Sequence, residues 1–330
     1  MNVERMRIEE PAPPFPLYED PVGDLLRAHP SDAAERDATV AHLLGVGSAY
    51  AYADTRTFAM MMSRLGFGGG ACVSVEQTVD AMFVFSTAYL VQSRCGRVVL
   101  LAYRGTEPNN LANWLGDADV GPEPMPLADE RLAVHSGFHR NLRATRWGVL
   151  AELNLALEGR SLLAPDRRVD HPLAALYVTG HSLGGALAVL FALSLGPAES
   201  VLARKLRAIY TFGQPLATAV PLPGAAQRLG RRLFRHVFLR DPIPTLPAAS
   251  WGRLAHFGRE YRWQDGEWRR SATAVAQITS ARKFSPSVLA FFLSAKRRAA
   301  ARYSLADHVP HRYLEALRPP GRVTELGDQG

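Results

Sequence analysis

Cysteine is scarce in this chain: its 330 residues contain two, Cys72 and Cys95, in no spacing that ligates a metal or carries redox chemistry. A disulfide-stapled scaffold and a thiolate metal centre are thereby set aside, and both thiols are expected to be free and buried. Long apolar runs are missing as well. Val98–Tyr103, Val288–Ala295 and the Ala- and Leu-rich stretch after Gly184 all fall short of the roughly 20 residues that span a bilayer. The opening MNVERMRIEEPAPPFP mixes charges and prolines without the apolar segment of a secretory leader. These absences lead to an expected cytoplasmic location, with leaderless export as the alternative.

Acidic residues are sparse between Ala203 and Arg302. Four of them, Asp241, Glu260, Asp265 and Glu267, stand against 19 Lys or Arg, a local +15 in a chain whose net charge is +7. Such asymmetry points to an anionic partner. No nucleic-acid-binding motif accompanies the arginines, so nucleic acid is set aside and an anionic membrane or lipid-aggregate surface is the expected partner.

Hydrophobic residues make up 47% of the chain and charged residues 21%, enough for a sizeable core. Residues 1–30 hold six of the 23 prolines and read as an irregular arm. Residues 31–318 read as one α/β domain, without repeat or linker, and residues 319–330 as a polar tail. A helix is expected after a cap at Ser31 or Asp32, with Val40, Leu43 and Leu44 on one face. A second, Thr55 to Leu65, ends at Gly66. Ala81–Val91 and Arg97–Arg104 read as an antiparallel hairpin. A Pro-rich loop through Pro122, Pro124 and Pro126 precedes a helix running to about Glu158.

The stretch Leu173 to Gly196, LAALYVTGHSLGGALAVLFALSLG, organises the rest. An apolar run of buried-strand length leads into Gly180-His181-Ser182-Leu183-Gly184, and an Ala/Leu-rich helix follows, closed by Gly196-Pro197. G-x-S-x-G alone is common. Set between strand and helix it has the context of a nucleophile elbow, which would present the Ser182 hydroxyl at the strand's carboxyl end. The amide of Leu183, at the helix N-terminus, would face a developing oxyanion.

A serine hydroxyl needs an imidazole base, and the imidazole needs a carboxylate to hold its tautomer. After the nucleophile these partners follow in the order acid, then histidine. Asp241 closely follows the apolar run Leu233–Leu239, in a loop stiffened by Pro242 and Pro244. The competing reading is an Asp-Pro turn initiator. Four histidines lie beyond Ser182. His236 precedes the acid within its strand, His256 precedes the strand expected at Gly258–Trp263 and reads as structural, and His308 and His311 share one late loop.

Further matches now combine. They are Val98-Val99-Leu100-Leu101-Ala102-Tyr103-Arg104-Gly105-Thr106, Asn113-Trp114 with Asp117, and Val134-His135-Ser136-Gly137-Phe138. Thr179 to Ala188, Tyr210 to Pro215, Asp241 to Pro244, and Asp307-His308 with Tyr313 complete the set. Together they cover roughly residues 40 to 317, and in that order the chain resembles the class 3 lipases, the fungal-type triacylglycerol lipase family of α/β-hydrolases. The resemblance implies a single α/β-hydrolase domain with a mostly parallel central sheet flanked by helices. It implies a carboxylic ester hydrolase acting on acylglycerols, with a lipid ester as substrate and no cofactor or metal. Ser182, Asp241 and His308 are its implied triad, and Thr106 with Leu183 its oxyanion hole. His308 is preferred to His311 because the family's histidine often sits five residues before a tyrosine.

The resemblance also implies a lid helix, here Glu107 to about Asp117, carrying Leu111, Trp114 and Leu115 on one face. The competing reading packs that helix permanently on the core. A later helix, from Ser287 to about Tyr303, pairs Val288, Leu289, Phe291, Phe292 and Leu293 with Lys296, Arg297, Arg298 and Arg302. Its apolar half suits the core; its basic half suits an anionic surface.

Overall fold

A computed structural model describes residues 1–82, 84–106, 121–127, 130–249, 252–279 and 303–328. Among the described residues the central sheet has nine strands, in the order β1-β2-β3-β4-β7-β8-β10-β12-β13. They are β1 (Asn2–Arg7), β2 (Ala71–Val79), β3 (Val84–Gln92), β4 (Val98–Tyr103), β7 (Ala175–His181), β8 (Leu206–Phe212), β10 (Leu233–Val237), β12 (Arg259–Gln264) and β13 (Glu267–Arg270). A second sheet, in the order β11-β9-β6-β5, joins β5 (Pro122–Pro126), β6 (Arg131–His135), β9 (Thr218–Ala219) and β11 (Leu254–Ala255).

The central sheet is mixed, parallel at its centre and antiparallel toward both edges. β4, β7, β8, β10 and β12 run parallel. β1 to β4 form an antiparallel wing, and β13 turns back antiparallel on β12. The parallel centre is covered by helices on both faces, so β7 is buried along its whole length and reads as a continuous apolar run. Alternation divides the core in two. Val99, Leu101 and Val178 face the cluster containing Leu153, Leu187 and Phe191. Val98, Leu100 and Tyr177 face the cluster containing Leu43, Leu44, Phe234 and Leu314.

Three local expectations change. Residues 2–7 are not irregular: they pair with β2 from Asn2 opposite Glu76 to Arg7 opposite Ala71, and Pro21–Arg27 is a helix capped by Asp20. As an edge strand β1 is largely exposed and shows no inside–outside alternation to read. The cap of helix Ala38–Tyr50 is Asp37, whose Oδ1 accepts from Val40 N at 2.9 Å; Asp32 instead accepts from Arg232 Nε at 2.5 Å. The segment from Pro122 to Pro126 is a strand at the sheet edge. Its prolines alternate, so the missing donors fall on one side, which an edge tolerates. Cys72 is buried, Cys95 half-buried, and both are free.

Candidate active site

β7 ends at His181, and helix Leu183–Leu193 starts beyond Ser182, whose backbone sits at φ 57°, ψ −129°. A non-glycine residue adopts such angles only where its surroundings enforce them. They are enforced here by close crossings. A Cβ on Gly180 would lie 2.2 Å from the Gly184 carbonyl carbon, and one on Gly184 would lie 2.1 Å from Tyr103 O at the end of β4. Ser182 N donates to Phe212 O at the end of β8 (2.9 Å), tying the turn to the next strand. The hydroxyl of Ser182 is buried and has no hydrogen-bond partner among the described residues. Leu183 is the first helical residue, so its N–H is among those the helix itself leaves unpaired.

Asp241 lies in the loop after β10, where its N–H reaches back to Phe238 O (2.9 Å). Its carboxyl accepts three bonds: Ile243 N to Oδ1 at 2.8 Å, Tyr313 OH to Oδ2 at 2.6 Å, and His308 Nδ1 to Oδ2 at 2.8 Å. A carboxylate facing Nδ1 puts the imidazole proton there and leaves the Nε2 lone pair open. His308 itself is buried, between the turn Leu305–Asp307 and helix Pro310–Leu317. That helix returns Tyr313 to the acid, and the tyrosine hydroxyl also accepts from Phe238 N at 3.1 Å.

Gly213, not singled out from the sequence, stands against this pair. At φ 59°, a Cβ there would lie 2.8 Å from Asp241 Oδ2 and 2.9 Å from His308 Nδ1. The signal was the Gly-Gln-Pro after β8. The other histidines beyond Ser182 lie apart. His311 is exposed, His236 takes a bond from Arg36 Nε (2.9 Å), and His256 Nε2 meets Pro244 O (2.7 Å).

Thr106 is half-buried two residues past Arg104, and the chain leading to it lies on the elbow: a Cβ on Gly105 would be 2.6 Å from His181 O. A recess of about 150 Å³ reaches Thr106 and is also lined by Glu76, Thr78, Phe85, Thr87 and Arg104. A larger cavity of about 840 Å³ lies between residues 6–15 and helix Thr55–Met62 and shares no residue with the elbow. Leu111, Trp114 and Leu115 lie outside the described residues, as do Lys296, Arg297, Arg298 and Arg302.

Ser182 thus follows β7, Asp241 follows β10, and His308 comes later in the chain, just before helix Pro310–Leu317, the order found in α/β-hydrolases. The fold defines that class: the lipase of Rhizomucor miehei in complex with its propeptide superposes with a TM-score of 0.57 at 20% identity, over 82% of this chain and 78% of that one. Within the class, the family model described as "Lipase (class 3)" matches residues 100–251. Triacylglycerol lipase OBL1 of Ricinus communis is 32% identical over 220 residues, 54% of this chain and 40% of that protein. Secreted mono- and diacylglycerol lipase 2 of Gibberella zeae is 28% identical over 193 residues, 49% of this chain and 43% of that one. The chain therefore spans less than half the length of these two relatives. The expectation of a cytoplasmic location is overturned by the second of these, a relative named as a secreted lipase.

Proposed function

We propose that the protein is a serine-dependent carboxylic ester hydrolase acting on acylglycerols. The observation that carries this reading is the Asp241–His308 pair, at 2.8 Å, together with the buried Ser182 on a strained strand-to-helix turn. In the reaction, Ser182 Oγ attacks the ester carbonyl carbon while His308 Nε2 takes its proton. The amides of Leu183 and Thr106 receive the developing oxyanion. The tetrahedral intermediate collapses, the alcohol leaves with the proton from His308, and the acyl group stays on Ser182. Water activated by His308 then releases the carboxylic acid and restores the serine. Asp241 keeps the imidazole oriented throughout and stabilises its protonated form. The lipid-ester character of the substrate is supported by the two relatives, both named as acylglycerol lipases.

The local +15 between Ala203 and Arg302 supports peripheral contact with an anionic lipid surface, at about 1 kcal/mol for each Lys or Arg close to it. The lid role of Leu111, Trp114 and Leu115 belongs to the same proposal. Hydrolysis measured on p-nitrophenyl esters of increasing chain length, acylglycerol emulsions and phospholipid vesicles tests the reading. Cleavage of acylglycerols, faster when the emulsion carries anionic lipid at low salt, is the expected result. Preferential release of fatty acid from phospholipid would move the substrate to a phospholipase A1 class, and no ester cleavage at all would end the proposal.

A further inference from the structure

His181 precedes the nucleophile in the chain, and its ring does not point at the reaction. It is buried under the loop of the base, with Nε2 2.6 Å from the main-chain oxygen of His308. A carbonyl oxygen only accepts, so Nε2 carries the hydrogen. On the ring's other side, Nδ1 lies 2.9 Å from the hydroxyl of Tyr52. Burial first, and then the neighbouring His308, push the His181 pKa well below its ordinary value, so the ring stays neutral. With Nε2 protonated and the ring neutral, Nδ1 is an acceptor and Tyr52 donates to it. The tautomer is thus set from both ends. Tyr52 in turn packs under the chain leading to Thr106: a Cβ on Gly105 would stand 2.1 Å from its hydroxyl oxygen.

We infer that His181 and Tyr52 are positioning residues for His308, gripping the base by its main chain while Asp241 grips it by its ring. This rests on the reading of His308 as the base. The bond to Asp241 holds the Nδ1 end of the imidazole and leaves the ring free to pivot about that oxygen. Fixing the His308 carbonyl removes the pivot and sets where Nε2 can go. Because the anchor is the residue next to Ser182, base and nucleophile are referred to one rigid turn, and displacements of about 1 Å between reacting groups cost of the order of a hundredfold in rate. Neutrality matters for the same reason. The two imidazole rings lie 4.5 Å apart, centroid to centroid, and His308 becomes a cation during turnover, so a second cation at His181 would oppose it. Ring contacts from Tyr52 and Tyr313 complete the enclosure of His181.

The test compares His181→Phe, which keeps a ring and removes the N–H, His181→Gln, which returns an amide N–H, and Tyr52→Phe. Thermal melts establish that each is folded. On a soluble p-nitrophenyl ester, His181→Phe should lose about a hundredfold in kcat with KM within about twofold. Its acid limb in the pH profile of kcat/KM should also shift. His181→Gln should recover to within about tenfold of wild type, and Tyr52→Phe should fall between. Nuclear magnetic resonance of protein labelled with ¹⁵N histidine reads the same claim without activity. His181 should remain a neutral Nε2–H tautomer through pH 5, and the Nδ1–H signal of His308 should move or broaden in His181→Phe. A His181→Phe protein with unchanged kcat and an unchanged His308 signal would overturn the inference, as would a Phe and a Gln variant equally impaired. Were wild type to cleave no ester, the hydrolase reading would fail, and the histidine signals would still decide whether His181 positions His308.

Discussion

Tyr313 and His308 meet the same oxygen of Asp241, at 2.6 and 2.8 Å. Burial raises the Tyr313 pKa well above its ordinary value, so its hydroxyl stays a donor at any working pH. Two depths of loss follow. Tyr313→Phe removes one hydrogen bond to a charged group, about 1.5–3 kcal/mol where the acceptor is left wanting, and should lower both melting temperature and kcat/KM while leaving measurable activity. Asp241→Asn should cost far more, about 10⁴ in kcat, because an amide cannot hold the productive tautomer. Steady-state kinetics beside thermal melts check both. Equal losses for the two variants would contradict the separate roles.

His308 and His311 separate by position. His308 is buried on Asp241, whereas His311 is exposed in the first turn of helix Pro310–Leu317. His308→Ala should remove nearly all ester hydrolysis, and His311→Ala should retain it within about twofold, the scale of an ordinary surface substitution. Activity of the two variants on one soluble ester decides it, and a reversed pattern would mean that the base was misassigned.

Thr106→Ala keeps the backbone amide and removes the hydroxyl. The expected loss in kcat is at most about 10²–10³, the cost of one oxyanion donor, with KM nearly unmoved because the donor acts on the transition state. A change confined to KM would count against the role.

Acid should destabilise the fold in a defined window. Burial pushes His29, His42 and His135 from 6.5 down to about 4. Between those values the unfolded chain binds protons that the folded chain refuses, so the stability these groups carry is complete above pH 6.5. It is lost as pH falls toward 4, by roughly 3 kcal/mol for each group. Melting temperature should be flat near neutrality and fall steadily from pH 6.5 to 4, and His42→Gln should flatten that slope. A melting temperature that holds to pH 4.5 would refute the assignment.

What could be read from sequence was local. The elbow declares itself because strand, Gly180, Ser182, Gly184 and helix are contiguous, and Asp241 because an apolar run ends just before it. His308 could be separated from His311 only by resemblance, since the difference between them is which side of Pro310 faces the acid. Tyr52 and the second role of His181 were invisible, because each depends on chain brought together across the fold; Tyr52 and His181 are 129 residues apart. The two edge strands escaped for another reason. β1 and β13 are mostly exposed edge strands, and exposure erases the alternation by which a strand is recognised.

The central claim is that Ser182 is the nucleophile. Wild type and Ser182→Ala, shown by melting to be equally folded, are treated with a fluorophosphonate probe, the adduct is located by peptide mass spectrometry, and hydrolysis of a soluble ester is followed in parallel. One adduct is expected, on Ser182, in wild type only, with kcat lower by about 10⁴–10⁶ in the variant. Equal labelling of both proteins, or a variant that still turns over, would contradict it.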